Sequence, residues 1–233
     1  MNNELEKYSK TLGIDLFGVA DLLSAKNFIT RQGGEHVGGF PRAISLGIRL
    51  IDNVLDQLIN HKDLVTIASY RGVYDAANQA LDRASLLMAK KVQESGYNAY
   101  PIPASSMLNN GNFEAVFSHK VAAHLAGLGW IGRNCLLITP HYGPRLRLAS
   151  VLTDAPLETG TPLDNRCGDC TQCVDICPSR AITGLPFSSE EHRDVRLDPK
   201  KCDQYTTNRM KVFGNANCGL CVHICPYGLR GRL

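Results

Sequence analysis

The chain has 233 residues, of which 44% are hydrophobic and 20% are charged, values that are ordinary for a folded globular protein. This length allows one large domain and a smaller one. No apolar stretch approaches the roughly 20 residues that a membrane-spanning helix needs, so no membrane segment is expected. The formal net charge of +3 is not that of a strongly basic nucleic-acid binder and argues against a nucleic-acid partner.

Helical and strand-like segments alternate through the first part of the chain. Residues 74–95 carry apolar side chains at spacings of three and four, with Gly96 in the position of a C-capping glycine, and therefore predict a helix. Alternating apolar positions over part of residues 43–50 predict a strand. The other elements predicted here are a helix at residues 3–12 and strands at residues 16–20 and 98–103.

The elements that follow complete an α/β or α+β domain. A helix is predicted at residues 113–125, and strands are predicted at residues 136–139 and 146–153. Residues 140–144 contain two prolines and a glycine, a composition typical of a turn. The two strands are therefore expected to form a hairpin.

A shift in composition separates this domain from the cysteine-rich remainder. Prolines and a glycine follow residue 155, so we predict a core domain at residues 1–158 and a second domain at residues 159–233. The second domain carries an approximate repeat, Cys-Val-Asp-Ile-Cys-Pro at residues 173–178 and Cys-Val-His-Ile-Cys-Pro at residues 221–226. Such a repeat is typical of a pseudo-twofold fold with two linked sites.

Eight of the nine cysteines fall in two runs of this second domain, and each run ends in Cys-Pro. The first run has the spacing C-x2-C-x2-C-x3-C-P, that of bacterial two-cluster ferredoxins, in which the fourth cysteine binds the other cluster. In the second run the first cysteine, Cys202, lies sixteen residues upstream of the next. We therefore predict two 4Fe–4S clusters: cluster A held by a first quartet, Cys167, Cys170, Cys173 and Cys225, and cluster B held by a second quartet, Cys177, Cys202, Cys218 and Cys221.

Disulfides and zinc are the alternatives for such cysteines. Disulfide frameworks are typical of small secreted domains, whereas these runs follow more than 160 residues of ordinary globular sequence without a signal peptide. Zinc sites favour two separated C-x2-C pairs and would not explain the triple spacing or the repeated Cys-Pro. Thiolate-bound clusters indicate a reducing, oxygen-poor interior, so a cytoplasmic, anaerobic setting is expected. Eight thiolates and two oxidised cluster cores would bring the net charge to about −1.

A second informative stretch, residues 118–134, contains the only tryptophan. Its glycines allow the backbone to approach a flat ligand closely, although a tight turn would explain them equally well. His119, in the preceding helix, could bind a phosphate or carboxylate group. The candidate cofactor-binding residues are Gly127, Gly129, Trp130, Gly132, Arg133 and Asn134, with Ser105 from an earlier segment.

Together these motifs resemble those of epoxyqueuosine reductases and corrinoid reductive dehalogenases. The matching segments are AGLGWIGRN at residues 126–134, LITPHYG at residues 137–143, LTDAP at residues 152–156, and the cysteine runs. The resemblance implies a nitroreductase-like core that holds a cobamide and a C-terminal ferredoxin-like domain that supplies electrons. It also implies that the displaced Cys202 is a cluster ligand.

Two features depart from the epoxyqueuosine reductase pattern. Those enzymes carry a proton-donating Asp in a segment that corresponds here to residues 101–106, and Ala104 or Ser105 falls near its position. Ser105 or Ser106 could hydrogen-bond a ligand but would be a poor proton donor at neutral pH, so no catalytic residue is assigned. The chain also ends soon after the second cysteine run, so the helical-repeat extension for tRNA is expected to be absent.

These observations favour an iron–sulfur oxidoreductase that passes low-potential electrons to a cofactor, with cobalamin the leading candidate, or to a substrate in the core. The expected donor is a ferredoxin or flavodoxin, and the expected acceptor is a small molecule or a corrinoid protein. A homodimer is considered because nitroreductase-like cores often pair to complete a site. One alternative is a pure electron-transfer or corrinoid-activating partner without its own catalytic pocket. Another is a tRNA reductase that acts on epoxyqueuosine.

Overall fold

The computed structural model describes residues 1–105, 108, 113–189, 191–214 and 217–229. Its elements are, in chain order, α1 (Asn2–Thr11), β1 (Leu16–Asp21), α2 (Lys26–Gly38), β2 (Arg42–Arg49), α3 (Asp52–Asp56), α4 (Leu64–Glu94), β3 (Ala99–Ile102), α5 (His119–Leu125), β4 (Trp130–Ile131), β5 (Leu137–Ile138), β6 (Leu146–Thr153), α6 (Gln172–Asp175), α7 (Pro199–Phe213) and α8 (Leu220–His223). Every helix in the described residues is too short or too polar to cross a membrane.

The chain divides into two compact units, each assembled from separate stretches. Unit 1 comprises Met1–Ile48, Ala77–Gly129 and Arg147–Leu163, and unit 2 comprises Arg49–Ala76, Trp130–Leu146 and Asp164–Leu233. The sequence predicted instead a single boundary after residue 158. The assignment of a cofactor or substrate site to residues 1–158 stays a prediction.

Unit 1 contains a four-stranded sheet in the order β1-β2-β6-β3. β1 pairs antiparallel with β2, with Gly18 opposite Ser45, and β3 pairs antiparallel with β6, with Tyr100 opposite Leu152. Residues 43–47 of β2 are all buried, as expected for an inner strand that is covered on both faces. The predicted strand at residues 43–50 is therefore confirmed, with a shift of one residue.

Apolar side chains from α1, α4 and the sheet form one core of unit 1, and side chains from α2, α5 and the sheet form another. Leu5, Ile44 and Met88 are representative of the first core, and Ile29 and Phe117 of the second; each is at most 2% exposed. Burying one such side chain contributes about 1.5–3 kcal/mol. These contacts explain why the amphipathic pattern of residues 74–95 was readable from the sequence.

Two predicted helices have different bounds in the structure. α4 begins at Leu64, ten residues before the predicted start, after Asp63, whose carboxylate accepts a hydrogen bond of 2.8 Å from the Thr66 N–H. Leu64 and Val65 are apolar but exposed, whereas Ile67 and Tyr70 bury the inner side of these first turns. α5 begins only at His119, because Ser118 has an extended backbone.

The predicted hairpin between residues 136–139 and 146–153 is wrong. β5 pairs with β4 in a separate two-stranded sheet, whereas β6 belongs to the four-stranded sheet. The turn itself forms, since Thr139 and Gly143 exchange two backbone hydrogen bonds of 3.0 Å. Pro144 follows and has no N–H with which to continue the ladder.

Gly143→Ala is expected to destabilise unit 2 by about 2–4 kcal/mol. Gly143 has a φ of +54°, and a Cβ there would lie 2.3 Å from the Gly228 nitrogen, so backbone strain of about 1 kcal/mol adds to overpacking of about 1–3 kcal/mol. Gly214, with a φ of +67° and open space around a Cβ, is the matched control and should cost only the strain. Equal losses in urea unfolding for the two alanine variants would contradict the close approach.

Candidate metal centre

Three helices and two Cys-Pro turns position the clustered cysteines of unit 2. The short helices α6 and α8 carry Cys173 and Cys221, the equivalent cysteines of the two repeats. α7 carries Cys202 and has its own boundaries: the Asp198 carboxylate accepts a hydrogen bond from the Lys201 N–H, and Gly214 ends the helix in a left-handed conformation. The displaced cysteine is thus held on a well-defined helix rather than on a loop.

The cysteines of the first quartet influence one another electrostatically. Burial, followed by the neighbouring charges of Cys225, Cys167 and Cys170, raises the pKa of the Cys173 thiol to about 11. Burial also raises the pKa of Cys225 to about 11, with contributions from Cys167 and Cys170. Cys225 comes from the second run, so the structure brings it to the three close cysteines of the first.

The second quartet is coupled in the same way. Burial raises the pKa of Cys202, and the charges of Cys177 and Cys218 add to the effect. Burial likewise raises the pKa of Cys221, followed by the charges of Cys218 and Cys202 and then of Cys173 and Cys177. α6 and α8, which carry Cys173 and Cys221, contact each other, so the two quartets are neighbours. The two groups coincide with the predicted ligand sets, and ligation itself stays a prediction.

A cavity of about 350 Å³, its open mouth included, lies at the first quartet. Four thiols around one cavity are the donor set of a 4Fe–4S cluster, so these residues fit that cofactor. No three of the described His, Cys, Asp and Glu side chains converge on one point as a single metal ion requires; the thiolates of a cubane bind four different iron atoms. The cavity is lined by Cys167, Cys170, Cys173, Cys225, Arg133, Asn134, Ile138, Gln172, Pro226 and Tyr227.

Hydrogen bonds to sulfur distinguish the two quartets. The indole N–H of Trp130 donates to Cys167 Sγ at 3.4 Å. In the second quartet, Cys177 Sγ accepts from the Ala181 N–H at 3.4 Å and lies 3.5 Å from the Ser179 hydroxyl oxygen. Burial raises the pKa of Cys177, but these hydrogen bonds outweigh burial and leave it below its usual value. Such bonds stabilise negative charge on sulfur and help to set cluster potentials.

Three of the candidate cofactor-binding residues lie at the first quartet. Trp130 is 1% exposed and makes an edge-to-face contact with Tyr227, with ring centroids 4.8 Å apart. Arg133 donates to the carbonyls of Gly168 and Gly184, and the Asn134 amide donates to the Cys221 carbonyl at 3.3 Å. These three side chains therefore brace the cysteine runs.

The remaining glycine candidates pack closely against other residues of their own units. A Cβ on Gly127 would lie 2.6 Å from the Thr161 carbonyl oxygen, and a Cβ on Gly132 would lie 2.7 Å from the Ile138 side chain. The Gly129 carbonyl lies 3.0 Å from His124 Nδ1. Ser105 is an exposed turn residue of unit 1, and Ser106 lies outside the described residues. Close packing of the chain explains Gly127 and Gly132, and cofactor binding by this set stays a prediction.

A buried ion-pair network that the sequence did not reveal supports the second cysteine run. The Arg145 side chain is fully buried, and its Nη1 lies 3.1 Å from Asp52 Oδ1 and 2.9 Å from Asp56 Oδ1. Its Nη2 donates to the His223 carbonyl at 3.4 Å, and His223 Nδ1 lies 2.9 Å from the Leu55 carbonyl oxygen. The segment between Cys221 and Cys225 is thereby fixed to α3.

In unit 1, a polar cluster surrounds the backbone at Pro103 and Ala104. His119 Nδ1 lies 2.9 Å from the Ser150 hydroxyl oxygen, and Nε2 lies 2.9 Å from the Pro103 carbonyl oxygen. The Ala104 N–H donates to Asp82 at 2.7 Å, and Arg147 donates to the Ala104 carbonyl at 3.4 Å. The N–H and the carbonyl of Ala104 are therefore both hydrogen-bonded. The sequence analysis did not identify Asp82 or Arg147 as site residues.

His119→Gln is expected to flatten the pH dependence of stability between pH 6.5 and about 4. Burial, together with the charge of Arg147, lowers the pKa of His119 from 6.5 to about 4. The unfolded chain then binds a proton that the folded chain does not, so the free energy of unfolding falls as the pH decreases through this window, by at most about 1.4 kcal/mol per pH unit. Urea unfolding of both proteins from pH 7 to pH 4 tests this; parallel curves would contradict it.

Known proteins resemble this chain both in the cysteine-rich segment alone and over nearly its whole length. Residues 166–228 match the 4Fe-4S double cluster binding domain family. The epoxyqueuosine reductase of Bacillus anthracis is 26% identical over 257 residues, which cover 97% of this chain and 64% of that protein. The epoxyqueuosine reductase of Gloeobacter violaceus is 37% identical over 125 residues, 48% of this chain and 36% of that protein. The chain thus spans less than two thirds of the length of these relatives.

Solved structures show the same fold. A reductive dehalogenase, whose structure suggested a mechanism for B12-dependent dehalogenation, matches 98% of this chain and 32% of its own, with a TM-score of 0.73 and 21% identity. An epoxyqueuosine reductase determined with a modified tRNA stem loop matches 97% of this chain and 65% of its own, with a TM-score of 0.63 and 17% identity. These likenesses confirm the predicted nitroreductase-like core and ferredoxin-like region. The tRNA in the second structure weighs against our expectation about nucleic acid.

Proposed function

Because the chain belongs to the superfamily of epoxyqueuosine reductases and reductive dehalogenases, we propose that it is an oxidoreductase that carries low-potential electrons through two 4Fe–4S clusters. The observation that carries this proposal is the sorting of eight cysteines into two coupled quartets, one of them around a cavity. The electrons come from a ferredoxin or flavodoxin in a reducing, oxygen-poor cytoplasm. They are delivered to a cofactor or substrate in the core.

The residues of this chain have three roles in that function. The cysteines bind the clusters, which supply one-electron transfer when bound. Trp130 and the groups around Cys177 donate hydrogen bonds that stabilise charge on sulfur. Arg145 and Asn134 hold the second run in place through backbone carbonyls. A cobamide is the leading candidate for the electron acceptor, because the fold resembles that of a reductive dehalogenase. Close packing at Gly127 and Gly132 adds no support, so the cobamide proposal rests on the fold resemblance alone.

Anaerobic reconstitution followed by cobalamin titration tests the proposal. About eight iron atoms per chain are expected, because each cluster holds four, with EPR signals from 4Fe–4S clusters after reduction. Cob(II)alamin is then added and followed by EPR. A bound, base-off cobalt signal would support a cobamide site, whereas unaltered free cobalamin would favour another acceptor. Protein that takes up no iron would refute the proposal.

Two other functions each have an observation in their favour. The curated relatives are named epoxyqueuosine reductase, which favours a tRNA reductase; failure to convert epoxyqueuosine-containing tRNA under reducing conditions with cobalamin would exclude it. The absence of an acid at Ala104 and Ser105 favours an electron-transfer or corrinoid-activating partner protein. Reduction of an added corrinoid protein, without turnover of a small substrate, would support that function.

A further inference from the structure

Arg209 is a buried cation with unused hydrogen-bond donors. Arg209 is 4% exposed, and its Nη2 donates to the carbonyls of His61 at 2.7 Å and Asn217 at 3.4 Å. Within the described part of the chain, Nε and Nη1 have no hydrogen-bond partner. A buried charge is costly unless it meets an opposite charge or an acceptor. The two free N–H groups therefore indicate that a further acceptor belongs beside them.

The helix that carries Arg209 also carries a cysteine of the second quartet. Cys202, Tyr205 and Arg209 lie at i, i+3 and i+7 of α7, so they share one helix face. The guanidinium carbon lies 5.9 Å from the centre of the Tyr205 ring. One helix face thus presents a thiol, a phenol and a guanidinium together.

Arg209 lies beside the second quartet, because its Nη2 donates to the carbonyl of Asn217, the residue directly before Cys218. Burial raises the pKa of the Cys218 thiol, and the positive charge of Arg209 opposes that rise. Burial and the charges of Cys218 and Cys177 raise the pKa of Tyr205, whereas Arg209 lowers it. Two cysteines of the quartet and the guanidinium therefore act on the same phenol.

We propose that Arg209 is the charge-compensating residue of cluster B and makes its reduction potential higher than that of cluster A. The inference rests on the proposed function, because it requires both clusters. Reduction adds one negative charge to a cluster, and a fixed cation in a poorly screened site stabilises that state. At the first quartet the donor to sulfur is the neutral indole N–H of Trp130. Arg133 also lines that cavity, but its guanidinium donates to the carbonyls of Gly168 and Gly184.

Charge compensation by Arg209 would explain why Cys202 lies far upstream of the other cysteines of the second run. In the first run the ligands follow one another in a short loop and helix. In the second run the first ligand lies on a 15-residue helix, and the same helix supplies Arg209 two turns later. Moving the ligand onto α7 is what introduces a buried cation at one quartet.

Arg209→Gln and Arg209→Lys separate charge from packing. Both variants and the wild type are reconstituted anaerobically, their iron is counted, and each cluster is titrated with a reductant against mediator dyes while EPR is recorded. Arg209→Gln is expected to lower the midpoint potential of one cluster by at least about 59 mV. This shift corresponds to a tenfold change in the equilibrium constant of a one-electron reduction. Arg209→Lys keeps the charge and should lower the midpoint potential less.

Two further variants identify the couple and control for buried arginines. Trp130→Phe removes the N–H donor at Cys167 and should move the other midpoint. Arg196→Gln is the matched control, since Arg196 is also buried and its Nε and Nη1 have no hydrogen-bond partner among the residues that the structure describes. It lies instead over the Phe187 ring and donates to the Glu191 carbonyl. It should move neither midpoint.

Each outcome decides the inference. Loss of about four iron atoms in Arg209→Gln but not in Arg209→Lys would support it, because charge would then be required even for assembly. Unchanged midpoints in Arg209→Gln would overturn it, as would equal loss of a cluster in both variants or a shift of the same couple by Trp130→Phe. Wild-type protein without clusters would refute the proposed function instead.

Discussion

Simultaneous exchange of Cys173 and Cys225 for alanine is expected to remove only half of the iron of the protein, although the two residues come from different runs. Both belong to the first quartet, so the double variant loses one cluster and keeps about four of about eight iron atoms. Exchange of Cys173 and Cys177 should remove nearly all iron, although both come from the same run. Iron and sulfide counts after anaerobic reconstitution measure the difference.

The reverse pattern would contradict the crossed arrangement. If each run held its own cluster, the Cys173 and Cys177 pair would cost one cluster, and the Cys173 and Cys225 pair would cost both. Cys135 provides the control, because it is buried at 3% exposure and lies outside both runs. Cys135→Ala should retain about eight iron atoms.

Arg145→Met is expected to destabilise unit 2 by about 3 kcal/mol. Removing one partner of a buried ion pair typically costs about 3–5 kcal/mol, because the remaining charge stays poorly solvated. Here the side chains of Asp52 and Asp56 are 20% and 29% exposed, so water can partly compensate and the lower end of the range applies. Urea unfolding and the rate of cluster loss measure the effect, since His223 also loses a donor to its carbonyl.

Two controls test whether the effect comes from uncompensated charge. Arg71→Met breaks an exposed pair with Asp75 in the same unit and should cost at most about 1 kcal/mol. Adding Asp52→Asn and Asp56→Asn to Arg145→Met removes the remaining charges and should recover much of the stability. A triple variant as unstable as Arg145→Met would show that packing, rather than charge, dominates.

The cysteine pattern was the part of the site that could be predicted from the sequence, because cluster ligation imposes strict spacings. The quartets required no tertiary information beyond the known crossing of two-cluster ferredoxins. The strand at residues 43–50 was also predictable, because apolar positions alternate over part of its length. Both predictions rest on local sequence patterns.

The supporting residues could not be predicted, because their partners are distant in sequence. Arg145 meets Asp52 and Asp56 about ninety residues upstream, and an arginine after a proline turn has no local signature of burial. The failed hairpin has the same origin: a turn was recognised, but which sheet each strand joins depends on pairing with distant strands. Arg209 belongs to no motif that the sequence analysis identified.

The composition of unit 2 limits how the cluster-binding part could be transplanted. A segment cut after residue 158 would contain all eight clustered cysteines but not Arg49–Ala76 or Trp130–Leu146. It would therefore lack Trp130, whose indole N–H donates to Cys167 Sγ. It would also lack Arg145, which donates to the His223 carbonyl. This ferredoxin-like region is not a removable cassette, and grafting it onto another enzyme would require two upstream stretches of the host to be redesigned.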